Sequence, residues 1–126
     1  VNRIDLSPTL VELSSLEGAP KVDGTSLIPL LDDPAQEWSI PSLTTLKRNQ
    51  HSLRTERWRY TRYQDGSEEL YDHESDPHEW HNLASDPQYN EVKSQLHKWL
   101  PTNNAPNAPG MGAYDFDPET YTFQKK

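Results

Sequence analysis

The sequence has 126 residues, which is enough for one small domain. Only 32% of them are hydrophobic, so the core is expected to be small and to depend on the 4 Trp, the 6 Tyr and scattered leucines. The net charge of −8 argues against nucleic-acid binding, and no apolar run is long enough to span a membrane.

The N-terminal segment predicts a helix over residues 4–18, followed by a loop. Ser7 is a candidate N-cap, Pro8 suits the first helical position and Gly18 is a natural stop. A short helix is marginal alone in water, so its apolar stripe needs something to pack against. We expect an isolated chain to self-associate through this stripe, which consists of Leu10, Leu13 and Leu16.

The middle of the chain predicts four short strands, at residues 42–46, 50–56, 57–63 and 68–72. The Asp65-Gly66 pair is typical of a hairpin between the last two. Side chains alternate along a strand, so Trp58 and Tyr60 share one face, with Leu70 as a cross-strand neighbour. The pattern predicts a small antiparallel sheet with one apolar face and one polar face.

Two Asp-Pro pairs predict helix starts, at Asp76-Pro77 and at Asp86-Pro87. The second helix is expected to reach about Leu100 and to cover the apolar face of the sheet. Its apolar stripe is Tyr89, Val92, Leu96 and Trp99. Residues 101–126 are rich in proline and predict an extended tail. The predicted fold class is α+β.

Three stretches resemble the C-terminal end of sulfatases, with the iduronate-2-sulfatase-like branch as the closest match. They cover roughly residues 1–100, in the order and spacing of that family. The first contains Asp5-Leu6-Ser7-Pro8-Thr9-Leu10, Asp23-Gly24-Thr25-Ser26-Leu27 and Pro29-Leu30-Leu31. The second is His51-Ser52-Leu53-Arg54-Thr55-Glu56-Arg57-Trp58-Arg59-Tyr60. The third contains Glu69-Leu70-Tyr71-Asp72, Asp76-Pro77-His78-Glu79 and Asn82-Leu83-Ala84.

The resemblance implies an α/β catalytic domain of the alkaline phosphatase-like superfamily, followed by a smaller subdomain. On that basis residues 1–37 are the last helix and loop of the catalytic domain, 38–100 are the C-terminal subdomain, and 101–126 are the tail. The chain would then be cut from a longer protein, with the N-terminal catalytic domain as its partner. Family habit favours a periplasmic or secreted location.

The chemistry that the resemblance implies is hydrolysis of sulfate esters, on sulfated carbohydrates. Such enzymes use a formylglycine, made from Cys or Ser in a Cys/Ser-x-Pro-x-Arg motif, together with a calcium ion. Fixed cations are needed because negative charge builds up on the sulfate oxygens. This sequence has no Cys and no Ser-x-Pro-x-Arg run. We therefore expect calcium and formylglycine in the absent N-terminal domain, no catalytic residue or cofactor in this chain, and no activity from the chain alone.

Five residues are candidates for the rim of the substrate pocket, because basic and amide side chains can meet a sulfated or carboxylated sugar. They lie at or near the entry to the second predicted strand, and His51 is the strongest candidate. The set is Lys47, Arg48, Asn49, His51 and Arg54. The structural alternative is a solvated hairpin tip or a contact with the missing domain.

Other constellations favour structural roles. His73, His78 and His81 are scattered between a strand end and a helix start, so no metal site is predicted there. Asp72, Glu74 and Asp76 begin like a calcium loop, but the sixth position is Pro77 rather than Gly. The alternative to a sulfatase part is a stand-alone, non-catalytic module that binds carbohydrate or another partner.

Overall fold

The computed structural model describes residues 1–106 and 112–126, so part of the predicted tail lies outside the described residues. Its core is a four-stranded antiparallel sheet in the order β1-β2-β3-β4, which confirms the predicted α+β fold. The strands are β1 (Ser42–Lys47), β2 (Gln50–Arg54), β3 (Trp58–Arg62) and β4 (Glu68–Asp72). The helices are α1 (Leu6–Ser14), α2 (Ile28–Asp32) and α3 (Asn90–His97).

The apolar face of the sheet is organised around one row of side chains that crosses the strands. Leu53, Tyr60 and Leu70 are successive Cα partners, and their exposed fractions are 1%, 0% and 0%. Residues in one register row point to the same face, so the three side chains form the centre of the core. Leucines supply more of this core than tryptophans, because Trp80 and Trp99 are 77% and 49% exposed.

Helix α3 covers this face, as predicted. Leu96 on α3 is 6% exposed and belongs to the same buried cluster, with Tyr89 and Val92 packed against it. Asp86 caps the preceding 3-10 turn by accepting a hydrogen bond from the Gln88 backbone N–H. The helix is shorter than predicted, and the fourth stripe position was wrong: Leu100, not Trp99, packs against the core.

The helix predicted at Asp76-Pro77 is wrong, because this segment forms a turn. Asp76 accepts from the His81 N–H, five residues on, and so closes a wider loop than a helix cap would. Glu79 has a φ of +58° and bonds through its side chain to Arg59 and His73. These tertiary contacts hold Glu79 in a left-handed conformation that a helix cannot contain.

The N-terminal helix was predicted in the right place, but both of its predicted end residues are wrong. Asn2 and Asp5 cap each other around a 3-10 turn at Arg3–Asp5, so Ser7 is already inside helix α1 and is not its N-cap. The helix stops at Ser15, whose φ of 50° is left-handed, and Gly18 is not the stop.

The following loop is hydrogen-bonded to this helix. The buried Asp5 carboxylate accepts from the Thr25 N–H at 3.0 Å, and the Thr9 hydroxyl accepts from the Leu27 N–H at 2.8 Å. A Cβ added at Gly24 would lie 2.6 Å from the Ile4 carbonyl oxygen, so the close approach requires glycine there. The N-terminal helix and its loop therefore form one local unit.

Each edge of the central sheet is hydrogen-bonded to another segment of the chain. The Leu83 N–H donates to the Leu70 carbonyl at 2.8 Å on the β4 edge. On the β1 edge, the Asn2 side chain accepts from the Leu43 N–H at 2.6 Å, and most of the strand remains exposed. Across both described ranges, no helix is long and apolar enough to cross a bilayer.

The tail contains a second, two-stranded sheet that the sequence analysis did not predict. Its strands are β5 (Tyr114–Asp117) and β6 (Thr122–Lys125), paired antiparallel. Phe116 and Phe123 are cross-strand partners, with ring centroids 4.9 Å apart. These rings remain about half exposed or more, at 51% and 69%.

Candidate functional site

Three of the predicted rim residues lie in or beside the tight turn between β1 and β2. Lys47 pairs with Gln50, which leaves Arg48 and Asn49 as the two turn residues. Asn49 has a φ of 58°, a left-handed conformation that Asn adopts more readily than most residues. The register also shifts between Thr45 and Lys47. This irregularity increases the local twist and changes the direction in which the turn side chains point.

His51 lies directly behind this turn and is only 5% exposed. Its Nδ1 lies 2.9 Å from the Thr45 hydroxyl on β1, and its Nε2 lies 2.7 Å from Oδ1 of Asn104. Both ring nitrogens therefore have partners within the chain. His51 links the β1–β2 hairpin to the segment that follows α3.

The orientation of the Asn104 side chain determines which ring nitrogen of His51 carries a proton. Asn104 Nδ2 donates to the Pro101 carbonyl at 3.1 Å, and its Oδ1 accepts from the Asn49 N–H at 3.4 Å. The oxygen therefore faces His51, so Nε2 of the ring must carry a proton. In the neutral ring, Nδ1 then accepts from the Thr45 hydroxyl. His51 is therefore a structural link between two chain segments as well as a candidate rim residue.

Arg54 is not brought together with the other four candidates. It lies at the opposite end of β2, three residues from His51, and so points to the other face of the sheet. Its Nη1 is buried and, within the described residues, has no hydrogen-bond partner. Burying a charged donor without a partner is costly.

A cleft of about 530 Å³ opens beside the β1–β2 turn. Its walls come from this turn, the end of β3 and the segment that begins at the end of α3. Residues on these walls include Asn49 and His51 and, beyond the predicted set, Arg62, Tyr63, His97 and Lys98. Arg62 is the Cα partner of His51, so strand register could have identified it. His97 and Lys98 could not be identified in this way, because their place in the cleft depends on where α3 ends.

Glu68 organises a polar network that includes Arg62, one of the cleft residues. It accepts from the Tyr60 hydroxyl at 2.5 Å, from Lys93 Nζ at 3.1 Å and from Arg62 Nη1 at 3.2 Å. Burial, together with the hydrogen bond to Glu68, raises the pKa of Tyr60 to about 12. Burial disfavours ionisation of Glu68, but the bonds from Tyr60 and Lys93 outweigh it and lower its pKa. The network fixes Arg62 in position.

The acidic and histidine residues considered as metal ligands have other partners. Asp72 binds Arg57, Asp76 accepts from the His81 N–H, and His73 lies 2.7 Å from Glu79. Within residues 1–106 and 112–126, no three His, Cys, Asp or Glu side chains are grouped so that they could hold a metal ion.

Residues 1–105 match a family model described as "N-sulphoglucosamine sulphohydrolase, C-terminal". The chain is also similar to a sulfatase from Formosa agariphila, with 33% identity over 98% of the chain and 23% of the relative. It is 34% identical to a Delta 4,5-hexuronate-2-O-sulfatase from Bacteroides thetaiotaomicron, over 73% of the chain and 21% of that protein. The chain thus spans about a fifth of the length of these curated relatives.

A solved structure also resembles this chain. The structure of a 2-O GAG sulfatase superposes with a TM-score of 0.56 and 30% sequence identity. The match covers 75% of this chain and 22% of that one.

Proposed function

Because this chain belongs to the family of N-sulphoglucosamine sulphohydrolase C-terminal domains, we propose that it is the C-terminal part of a formylglycine-dependent sulfatase acting on sulfated carbohydrate. The observation that carries this proposal is the family match over residues 1–105. The relative from Bacteroides thetaiotaomicron acts, by its name, on a hexuronate 2-O-sulfate. We extend that substrate class, a sulfated uronate-containing sugar, to the protein that contains this chain.

The reacting centre lies outside this chain in our proposal. The chain has no cysteine, and none of its serines begins a Ser-x-Pro-x-Arg run. Three serines are followed two residues later by proline, but none has the arginine that the motif requires four residues after the serine. The residues at that position are Leu43 after Ser39, Glu79 after Ser75 and Tyr89 after Ser85. Calcium and formylglycine would therefore be held by the N-terminal catalytic domain, and the isolated chain would be inactive.

The chain contributes the rim of the substrate pocket. Arg48 and Asn49 form a two-residue turn next to Lys47, the last residue of β1, and basic and amide groups there can meet sulfate or carboxylate oxygens. His51 supports this turn from behind through Thr45 and Asn104. Its role is to hold the rim in place, because both of its ring nitrogens are already engaged.

The N-terminal part of the chain would dock onto the catalytic domain. Leu10, Leu13 and Leu16 on and after α1 are 63%, 59% and 60% exposed, and such a contiguous apolar stripe favours a protein contact. Arg54, with its buried and unpartnered Nη1, would gain an acceptor there. Export to the periplasm or outside the cell is part of the same proposal, since it follows family habit.

The test uses the full-length protein that contains this chain. We expect it to release sulfate from a 2-O-sulfated unsaturated hexuronate disaccharide. Activity should disappear when the Cys or Ser of the Cys/Ser-x-Pro-x-Arg motif is changed to alanine. The 126-residue chain alone should release none. A full-length protein that binds sulfated sugars but hydrolyses no sulfate ester would overturn the proposal and favour a non-catalytic binding module.

A further inference from the structure

We propose that the cleft beside the β1–β2 turn is a binding subsite for an anionic sugar unit of a sulfated glycan. In this subsite, Arg62 and Lys98 meet the sulfate or carboxylate groups and Tyr63 lies against the sugar ring. The inference rests on the proposed function, since it identifies a second place where the same substrate class is held.

The charge of the cleft is opposite to that of the chain. The whole sequence has 20 acidic and 12 basic residues. Within the residues that the structure describes, the cleft lining nevertheless contains the cations Arg62 and Lys98 and no Asp or Glu, although Glu68, outside the lining, is hydrogen-bonded to Arg62. A concave surface of one sign concentrates field lines, so this cleft attracts anions although the chain as a whole repels them.

Arg62 and Lys98 both retain donors for a ligand. Arg62 has five N–H donors, and its bond to Glu68 uses one nitrogen while 39% of its side chain stays exposed. Lys98 donates from Nζ to the neutral Gln95 side chain at 2.8 Å. An ammonium has three donors, so Lys98 can bind an oxyanion while it keeps this contact.

The cleft is also formed in advance. Its volume of about 530 Å³ is within the usual range for small-ligand sites. The His51–Asn104 hydrogen bond holds one wall and the Glu68 network holds Arg62 on another. Tyr63 is 37% exposed and offers an apolar ring with a polar end. Groups that are fixed before binding lose less entropy when the ligand arrives.

The experiment measures equilibrium binding of a size-fractionated heparin hexasaccharide to the 126-residue chain by NMR titration. Its desulfated, N-acetylated and carboxyl-reduced form serves as the neutral ligand. We expect the double variant Arg62→Gln/Lys98→Gln to raise the dissociation constant at least fivefold, and Lys98→Gln alone about twofold. The single variant guards against a folding defect, because the Nζ of Lys98 bonds to the neutral side chain of Gln95 and not to a carboxylate of the core.

The matched control is Lys21→Gln/Lys125→Gln, which removes two charges from exposed positions outside the cleft. This control should change the dissociation constant less than twofold. An equal loss in the control, or none in the cleft variants, would show unspecific attraction and overturn the subsite. Absence of binding by the unchanged chain overturns it too. If the chain does not bind the hexasaccharide but the full-length protein releases sulfate, the subsite proposal fails and the proposed sulfatase function stands. If the chain binds but the full-length protein hydrolyses no sulfate ester, the proposed function fails and the subsite stands.

Discussion

The guanidinium of Arg57 forms two parallel hydrogen bonds to the carboxylate of Asp72, Nε to Oδ1 at 2.9 Å and Nη2 to Oδ2 at 2.7 Å. The same guanidinium lies 4.6 Å above the ring of Trp58, which is the Cα partner of Asp72. One side chain thus covers an aromatic ring and neutralises a carboxylate that is 5% exposed. This pair closes the end of the sheet that lies opposite the candidate site.

The Asp72 pair predicts acid-sensitive stability. The Arg57 hydrogen bonds lower the pKa of Asp72 in the folded protein, against about 3.9 in an unfolded chain. A lowered pKa stabilises the fold above the unfolded value, and this contribution is lost as pH falls through the folded value. We expect Asp72→Asn to lower the melting midpoint at pH 7 by about 4–8 °C. Thermal melts from pH 7 to pH 2 check this, and a difference that persists undiminished at pH 2 would contradict it.

The buried row of the sheet predicts a contrast between two leucines. Leu53 is 1% exposed, whereas Leu46 on the neighbouring strand is 78% exposed. Leu53→Ala should lower the free energy of unfolding by about 2–5 kcal/mol, because it removes buried atoms and leaves a cavity. Leu46→Ala should change it by less than about 0.5 kcal/mol. Urea unfolding measures both, and similar losses for the two variants would argue against this core.

The His51–Asn104 contact predicts energetic coupling between residues 53 positions apart. Each single alanine variant leaves the other polar group without its partner, so the double variant should cost less than the sum. We expect a coupling energy of about 1 kcal/mol in a double-mutant cycle. The matched cycle pairs His51 with Asn103, an exposed neighbour, and should give a value near zero. Equal coupling energies in both cycles would contradict the conclusion that His51 links the β1–β2 hairpin to the segment after α3.

The Tyr60–Glu68 bond predicts a loss of stability at high pH. Burial and this bond raise the pKa of Tyr60 to about 12, whereas an unfolded tyrosine titrates near 10. The folded state holds the proton more tightly, so its stability falls as pH rises from about 10 to 12, by an amount on the order of 2 kcal/mol. Denaturant melts across this range should show the decline in the unchanged chain and in Tyr114→Phe. The same melts should show a much smaller decline in stability for Tyr60→Phe.

The exposed leucine stripe predicts self-association of the isolated chain. Leu10, Leu13 and Leu16 lie on or just after α1 and are more than half exposed. Leu13→Glu should weaken association at least about tenfold, since burying one leucine side chain contributes ~1.5–3 kcal/mol. Sedimentation equilibrium measures this. Leu46→Glu, at an exposed strand position, is the control, and a chain that stays monomeric at high concentration would refute the prediction.

The sequence predicted the four central strands to within two residues at each end. It could do so because the alternation around Trp58 and Tyr60 and the Asp65-Gly66 turn are local signals. The resemblance to sulfatase C-terminal ends was likewise confirmed by the family match over residues 1–105. Both depend on residues that are close together along the chain.

The wrong predictions concern segments where distant partners override local preference. Asp76-Pro77 has the composition of a helix start, but the bonds from Arg59 and His73 hold Glu79 in a turn. Trp99 has the spacing of the α3 stripe, but α3 ends at His97 and the chain turns so that Leu100 reaches the core. Local propensities are worth less than the tertiary contacts that compete with them.

The sequence by itself determined the α+β class, the apolar face of the sheet and the sulfatase resemblance, because periodicity and motif spacing are properties of neighbouring residues. Only the tertiary structure decided that His51 is held by Asn104 and that Arg62 and Lys98 share one cleft. These relationships join residues far apart in the chain. They follow from strand register and from the point at which α3 ends, neither of which is set by the residues in the site.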